Sequence, residues 1–383
     1  MTASPSGKGS IAILYRFKGR PNAAFPAGAL TYVDGRFFGA TNGGGRSFCS
    51  LDTGCGTVYT ISPSGKRERV LYQFSHNKNG EYKDGELPNG GLIDRNGTFY
   101  GTTAGGGRGL AGTMFSLSCH AGKCSETVLQ SFNGSGIGSD PNGDLVDEGG
   151  TLYGTAALGG SEGYGTVFAA SSSGQVNAIY SFKGGSDGER PEAGLTDVDG
   201  MLYGTTEGQP YGSGTVFKIT TSGVETVLHQ FGGTDGSGVP DGVQPFAKMI
   251  YVGGRLYGTT YWGGEHELGT VFSITPSGDE RVVYSFAGGL DGKNPGAALI
   301  SVNGEIYGTT ATGGANGDGT IFKIDGSGHE SVLYSFKGGT DGTAPDALFE
   351  LNGSLYGTTH AGGNFSDCLD FEVACGTLFR MPL

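Results

Sequence analysis

The stretch LYGTT at residues 256–260, a loop, then GTVF at 269–272 decides how the chain is read, because it is written seven times. The first half recurs at Phe38-Gly39, Tyr100-Gly101, Tyr153-Gly154, Tyr203-Gly204, Tyr307-Gly308 and Tyr356-Gly357. The second half recurs at Gly56, Gly112, Gly165, Gly214, Gly319 and Gly376. A third marker ends in Phe17, Phe74, Phe132, Phe182, Phe231, Phe286 and Phe336. Successive YG steps of 62, 53, 50, 54, 50 and 49 residues hold about four short strands each, the content of a propeller blade.

Working outward from the motif, each repeat divides into strands A to D. Strand A follows a proline, as in PGAALISV at 295–302; B is EIYGTT, C is GTIFKI and D is SVLYSF. Apolar residues alternate with small or polar ones at period two, and no segment has helical periodicity. The sequence therefore predicts an all-β, seven-bladed β-propeller of four antiparallel strands per blade, one domain spanning 1–383. Its blades start near residues 26, 88, 141, 191, 245, 295 and 345. IAILYRF at 11–17 is a lone D strand, and the last repeat, ending GTLFRMPL, lacks one. Residues 11–17 are expected to complete blade seven and leave no sheet edge open.

Composition narrows the function. The 78 glycines recur at fixed offsets between strands and read as turn chemistry, not disorder. A formal net charge of −13 argues against nucleic acid and anionic lipid, and against a strongly polyanionic substrate. No apolar run is long enough to span a membrane, and the opening MTASPSGKGS contains no signal-peptide core. The six cysteines form three local pairs, Cys49–Cys55, Cys119–Cys124 and Cys368–Cys375. They lie on different repeats without the two-residue spacing of zinc ribbons, so disulfides are favoured over zinc. That implies an extracellular or cell-envelope location.

The seven-fold G-x-[LIF]-[YF]-G-T, G-T-[VMIL]-[FY] and Y-S-F patterns resemble the GloVer tandem repeat of bacterial secreted and surface-anchored proteins. The resemblance covers almost the whole chain. It implies a β-propeller at or beyond the cell surface and supplies no catalytic residues. The chain departs from the usual pattern in its three cysteine pairs and in having no sorting tail or membrane anchor after Leu383.

The A–B and C–D turns are short and uniform, whereas the B–C and D–A loops vary in length. Varied loops on a rigid scaffold are where binding concentrates, so the face carrying them is the expected site. Asp-Gly before strand A, at Asp84, Asp187, Asp235, Asp291 and Asp341, reads as turn chemistry; calcium is the less favoured alternative, and no metal or other cofactor is expected. The threonines of YGTT and GTVF read as a structural hydroxyl ladder.

Departures from the repeat carry more information. After the B-strand threonines, Ala104, Ala157 and Ala311 give way to Glu207, Tyr261-Trp262 and His360 in three other blades. Trp262, the single tryptophan, suits stacking on a sugar ring. His360 and His266 could move protons, with Tyr261, Glu207 and Tyr82 as further catalytic candidates. Tyr211, His76, Lys78 and Arg190 join Trp262 and Tyr261 as ligand-binding candidates. The favoured function is a monomeric, secreted propeller binding a glycan or polysaccharide. The alternatives are a polysaccharide lyase or glycoside hydrolase, and a protein-interaction scaffold.

Overall fold

The computed structural model describes residues 9–47, 49, 53–75, 84–120, 123–171, 173–208, 212–363, 368 and 375–383. Seven four-stranded antiparallel sheets follow one another in a ring, an all-β, seven-bladed β-propeller. Blade five is representative: A is Ile250–Val252, B is Arg255–Thr260, C is Thr270–Ile274 and D is Glu280–Ser285. In blades two to six strand A pairs over three residues only, so the segment from the blade proline to that point is left to line the centre.

The last sheet closes the ring as the sequence predicts. Ala12–Arg16 lies antiparallel to Thr377–Pro382, with Ala12 opposite Arg380 and Arg16 opposite Thr377. The added strand faces both neighbours: Ile11 and Ile13 pack on the core shared with blade six, while Leu14, Tyr15 and Phe17 join the core shared with blade one.

Each letter of the repeat has a packing reason. The YG glycine lies against the aromatic ring of GTVF: a Cβ at Gly308 would meet Phe322 at 2.5 Å, and one at Gly39 would meet Tyr59 at 2.7 Å. That ring in turn takes the D-strand phenylalanine of the preceding blade edge-on. Phe74–Phe115, Phe231–Phe272 and Phe336–Phe379 have centroids 5.2, 5.0 and 5.2 Å apart, the offset geometry aromatic pairs favour. The GTVF glycine has positive φ and receives the next blade's proline, whose Cδ stands 2.6 Å from where a Gly269 Cβ would be. Phenylalanine and proline therefore fasten each blade to its neighbour.

The threonine ladder forms. Oγ1 atoms of Thr41 and Thr57, Thr103 and Thr113, Thr260 and Thr270, and Thr310 and Thr320 are each 2.8 Å apart, all buried. Blade three has Ala156 there, and its Thr166 donates instead to the Ile137 carbonyl.

The Asp-Gly aspartates serve as turn anchors with a second role. Asp84, Asp187 and Asp341 accept backbone N–H groups from Ser75, Lys183 and Lys337, and each also takes a D-strand tyrosine hydroxyl at 2.6 Å. One assignment is corrected. Asp235 caps its own turn through the N–H groups of Ser237 and Val239; the true counterpart is Asp241, which accepts the Gly232 N–H and stands four residues before Pro245.

All three disulfides form, at the pairs expected. Non-reducing peptide mapping should recover these three local pairs, and crossed pairs would contradict the structure. Because the closed loops are short, removing one bridge by paired Cys→Ser should cost about 2 kcal/mol or less, read by urea denaturation. Among the described residues no helix is long and apolar enough to cross a membrane.

Candidate functional site

Between strands D and A the chain makes the same unusual step in every blade. The residue before the blade proline has a left-handed backbone although none of the seven is glycine: Phe25, Leu87, Asp140, Arg190, Gln244, Asn294 and Ala344 lie at φ of 57, 57, 58, 55, 59, 58 and 50°. Such positions cost of order 1 kcal/mol or more and persist only where the surroundings fix them. Here two backbone hydrogen bonds do so. The N–H donates to the residue preceding the previous blade's GTVF motif, as from Arg190 to the Tyr164 carbonyl at 2.9 Å. The carbonyl accepts the N–H of the residue after the B-strand threonines: Leu87 from Ala104, Asp140 from Ala157, Arg190 from Glu207, Gln244 from Tyr261 and Asn294 from Ala311, each at 3.0 Å.

Three variable side chains per blade are thereby gathered at one mouth: before the proline, after it, and after the threonines. The post-proline residues Asn89, Asn142, Glu192, Phe246, Gly296 and Asp346 ring a central channel of about 160 Å³, with Asp144 and Lys248 a little further in sequence. Asn89 Nδ2 donates to Asn142 Oδ1 at 2.8 Å, and Asp144 accepts the Gly91 N–H. The mouth is acidic. Burial pushes the Asp346 carboxyl up to about 6, with the Asp144 charge adding to it.

The residues singled out from sequence meet this mouth in three groups. In blade four Arg190 Nε donates to Glu207 Oε2 at 2.8 Å, and its other arm bonds Glu192 in the channel. Burial and the neighbouring Glu207 charge push Glu192 up to about 7, against the pull of Arg190. In blade five Tyr261 lies over Gly296, edge-on to Phe246 at 5.4 Å and to Trp262 at 5.3 Å. Trp262 is 43% exposed and held in a short pairing, Val243 opposite Trp262 and Gly242 opposite Gly263. In blade seven His360 lines a cleft of about 340 Å³ with Phe25, Leu87 and Asn89. Desolvation by the cleft around it holds its imidazole below the ordinary value, against a hydrogen bond with the Pro26 backbone, although the residue keeps an exposed edge.

His266 stands exposed in the B–C loop of blade five, beyond the mouth, where its charge acts on Asp291. Tyr211, His76, Lys78 and Tyr82 lie outside the described residues. Among the described residues no hydrogen bond joins His360 to Glu207 or Tyr261, so the candidates form separate groups around one channel. Sequence reasoning missed Glu192, Phe246, Asn89, Asn142, Asp144 and Asp346. The signal was there: each stands within three residues of a recurrent proline and changes identity from blade to blade.

Fold and mouth together define a propeller built from one repeated unit, with variable side chains displayed where strands D, A and B meet. The chain belongs to the Gloeobacter/Verrucomicrobia repeat family, which matches residues 50–241 and 237–383. No curated protein matches it. Among solved structures it is similar to an oligogalacturonate lyase from Vibrio parahaemolyticus, at 9% identity, TM-score 0.58, over 98% of this chain and 94% of that one. A puromycin-hydrolysing peptidase from Mycobacterium tuberculosis aligns at 10% identity and TM-score 0.53, over 88% of this chain and 48% of that one. TolB from Acinetobacter baumannii aligns at 14% identity and TM-score 0.41, over 71% of this chain and 58% of that one. The chain thus spans about half the length of the peptidase and somewhat more of TolB. At these identities the likeness to the lyase and the peptidase is one of fold alone.

Proposed function

We propose that this protein is a secreted propeller that binds a neutral glycan across the mouth of its central channel. The observation that carries it is the aromatic row Phe246, Tyr261 and Trp262, running from the channel outward and ending in a tryptophan 43% exposed. A sugar ring presents an apolar C–H face that stacks on such a surface, and its hydroxyls suit the mixed donors and acceptors of Asn89, Asn142, Lys248 and Asp144. Uronates are disfavoured, because Asp144, Glu192 and Asp346 would repel their carboxylates. Export is supported by the three disulfides, which persist in oxidising compartments.

Glu192 supports a second reading, a glycoside hydrolase. Its carboxyl is raised to about 7 beside a second carboxylate, Glu207, on the same arginine, a pairing that suits general acid catalysis near neutral pH. One experiment separates the two. On a panel of neutral plant and microbial polysaccharides, Trp262→Ala should weaken retention in affinity electrophoresis by about 1–3 kcal/mol, the range for losing an aromatic anchor. For a pure binder, Glu192→Gln and His360→Ala leave retention nearly unchanged and no products form. For a hydrolase, products appear by chromatography and Glu192→Gln abolishes them. Neither retention nor products would overturn both readings and leave a protein-interaction scaffold.

A further inference from the structure

Away from the channel, on the outer strands, several blades meet the next through a recurring polar contact. The D-strand tyrosine donates to the aspartate of its own D–A loop and lies beside a glutamate opening the next blade's D strand. Tyr72 meets Asp84 and Glu126 in this way, and Tyr180 meets Asp187 and Glu225. Tyr15 meets Glu68 at the closing seam. Between blades four and five the tyrosine is replaced by His229, within VLHQF. The aspartate is Asp241 and the glutamate is Glu280.

The replacement changes the chemistry. His229 Nε2 lies 2.8 Å from Asp241 Oδ2, and donor atoms of His229, Asp241 and Glu280 all lie within 4.8 Å of one another. Asp241 is 3% exposed, with Oδ1 occupied by the Gly232 N–H, which leaves Oδ2 directed at the histidine. Glu280 is 5% exposed, and both of its carboxylate oxygens are buried without a hydrogen-bond partner, the one carboxylate among the described residues in that condition. At three seams a tyrosine hydroxyl reaches the glutamate, at Glu68, Glu126 and Glu225; at Glu280 no donor does. A buried carboxylate left unpartnered is costly, and a cation is the group that answers it. Phe231 fixes the imidazole edge-on at 4.8 Å, and the imidazole keeps some access to solvent, 16%.

We propose that His229, Asp241 and Glu280 bind a divalent first-row metal ion at the seam between blades four and five. One imidazole with two carboxylates is a zinc-type donor set, and three protein ligands leave a position for water. Tetrahedral zinc holds such donors roughly 3.4 Å apart, so the histidine and Asp241 must part slightly and Glu280 close in. Asp235 stays outside the set, its oxygens taken by the N–H groups of Ser237, Val239 and Val282. Asp241 is followed by Gly242-Val243, which pair with Trp262-Gly263. The ion would thus anchor the arm that presents the exposed tryptophan.

The test uses the full chain, dialysed against chelator and titrated by calorimetry with zinc chloride and, separately, with manganese chloride, with bound metal counted by elemental analysis. The expected result is one zinc per chain and a melting temperature that rises with zinc. His229→Tyr restores the arrangement of the other blades, so it should fold; it should lose the bound zinc and the thermal response. Glu280→Gln should weaken binding by more than about 10-fold, since it removes a direct ligand. The proposal is overturned if the native chain binds neither zinc nor manganese. It is equally overturned if His229→Tyr binds zinc with unchanged stoichiometry and affinity, which would place the metal elsewhere.

Discussion

Removing residues 1–18 will open the ring and cost more stability than any point substitution in the chain. The deletion strips the outer strand from blade seven and exposes the unpaired edge of Thr377–Pro382, a template for association with other chains. It also removes apolar contact on two sides, from Ile11 and Ile13 toward blade six and from Leu14, Tyr15 and Phe17 toward blade one. Phe17 alone is 1% exposed and edge-on to Tyr59 at 5.1 Å. Phe17→Ala should therefore cost about 3–5 kcal/mol by urea denaturation, the usual range for a buried phenylalanine. The deletion should be insoluble, or melt well below Phe17→Ala. An unchanged melting curve for the deletion would refute closure by this strand.

Stability should fall as pH rises from about 5 to 8.5, the reverse of the usual carboxylate trend. Burial, with the charges of Asp84 and Asp291, pushes Glu126 and Glu330 up to about 8, and burial with Asp187 pushes Glu225 up to about 7. The sign follows from proton counting. Between the unfolded and folded pKa values the folded chain holds protons that the unfolded chain has released, so each added pH unit favours unfolding. This stabilisation is fully present below the unfolded pKa, near 4.5, and is lost as pH passes through 7 and then 8. All three side chains are partly solvent-exposed, so each contributes about 1 kcal/mol after screening, roughly 3 kcal/mol together. Urea midpoints should be higher at pH 5 than at pH 8.5. Replacing the three glutamates by glutamine should flatten the difference, which separates these seams from the general repulsion of an acidic chain. A midpoint that climbs with pH would contradict the seam electrostatics.

Much of the frame could be read from the chain because each structural demand is made seven times. A glycine that must admit an aromatic ring, or a neighbour's proline, recurs at a fixed offset, and so do the rings themselves. Ring closure was legible for the same reason: a lone IAILYRF matches the strand missing from the last repeat. The mouth was only half legible. Glu207, Tyr261 and His360 stood out because they replace alanine after the threonines. Arg190 could not be matched to Glu207, because residues before proline ordinarily take extended backbone, and the left-handed step that pairs these two positions contradicts that rule. Glu192 and Phe246 were passed over as the first residues of a strand that in fact begins to pair later. Asp235-Gly236 competes with Asp241-Gly242 for the same dipeptide, and only Asp241 also has the four-residue distance to the blade proline, Pro245, that marks the turn anchor. From its VLHQF motif alone His229 reads as one more outer-strand residue. Its meaning depends on Glu280, 51 positions away in the chain.

The left-handed residue before each blade proline has a bearing on how such a protein changes over time. The same main-chain bonds hold it whatever side chain it carries, and the Arg190 and Asn294 side chains add bonds of their own, to Glu207 and to the Tyr261 carbonyl. Phenylalanine, leucine, aspartate, arginine, glutamine, asparagine and alanine all occupy that step without altering it. The scaffold therefore imposes almost no spelling on the surface it displays. A lineage can exchange one blade's display at a time, or copy a blade whole, and inherit a new surface without first having to repair the old fold.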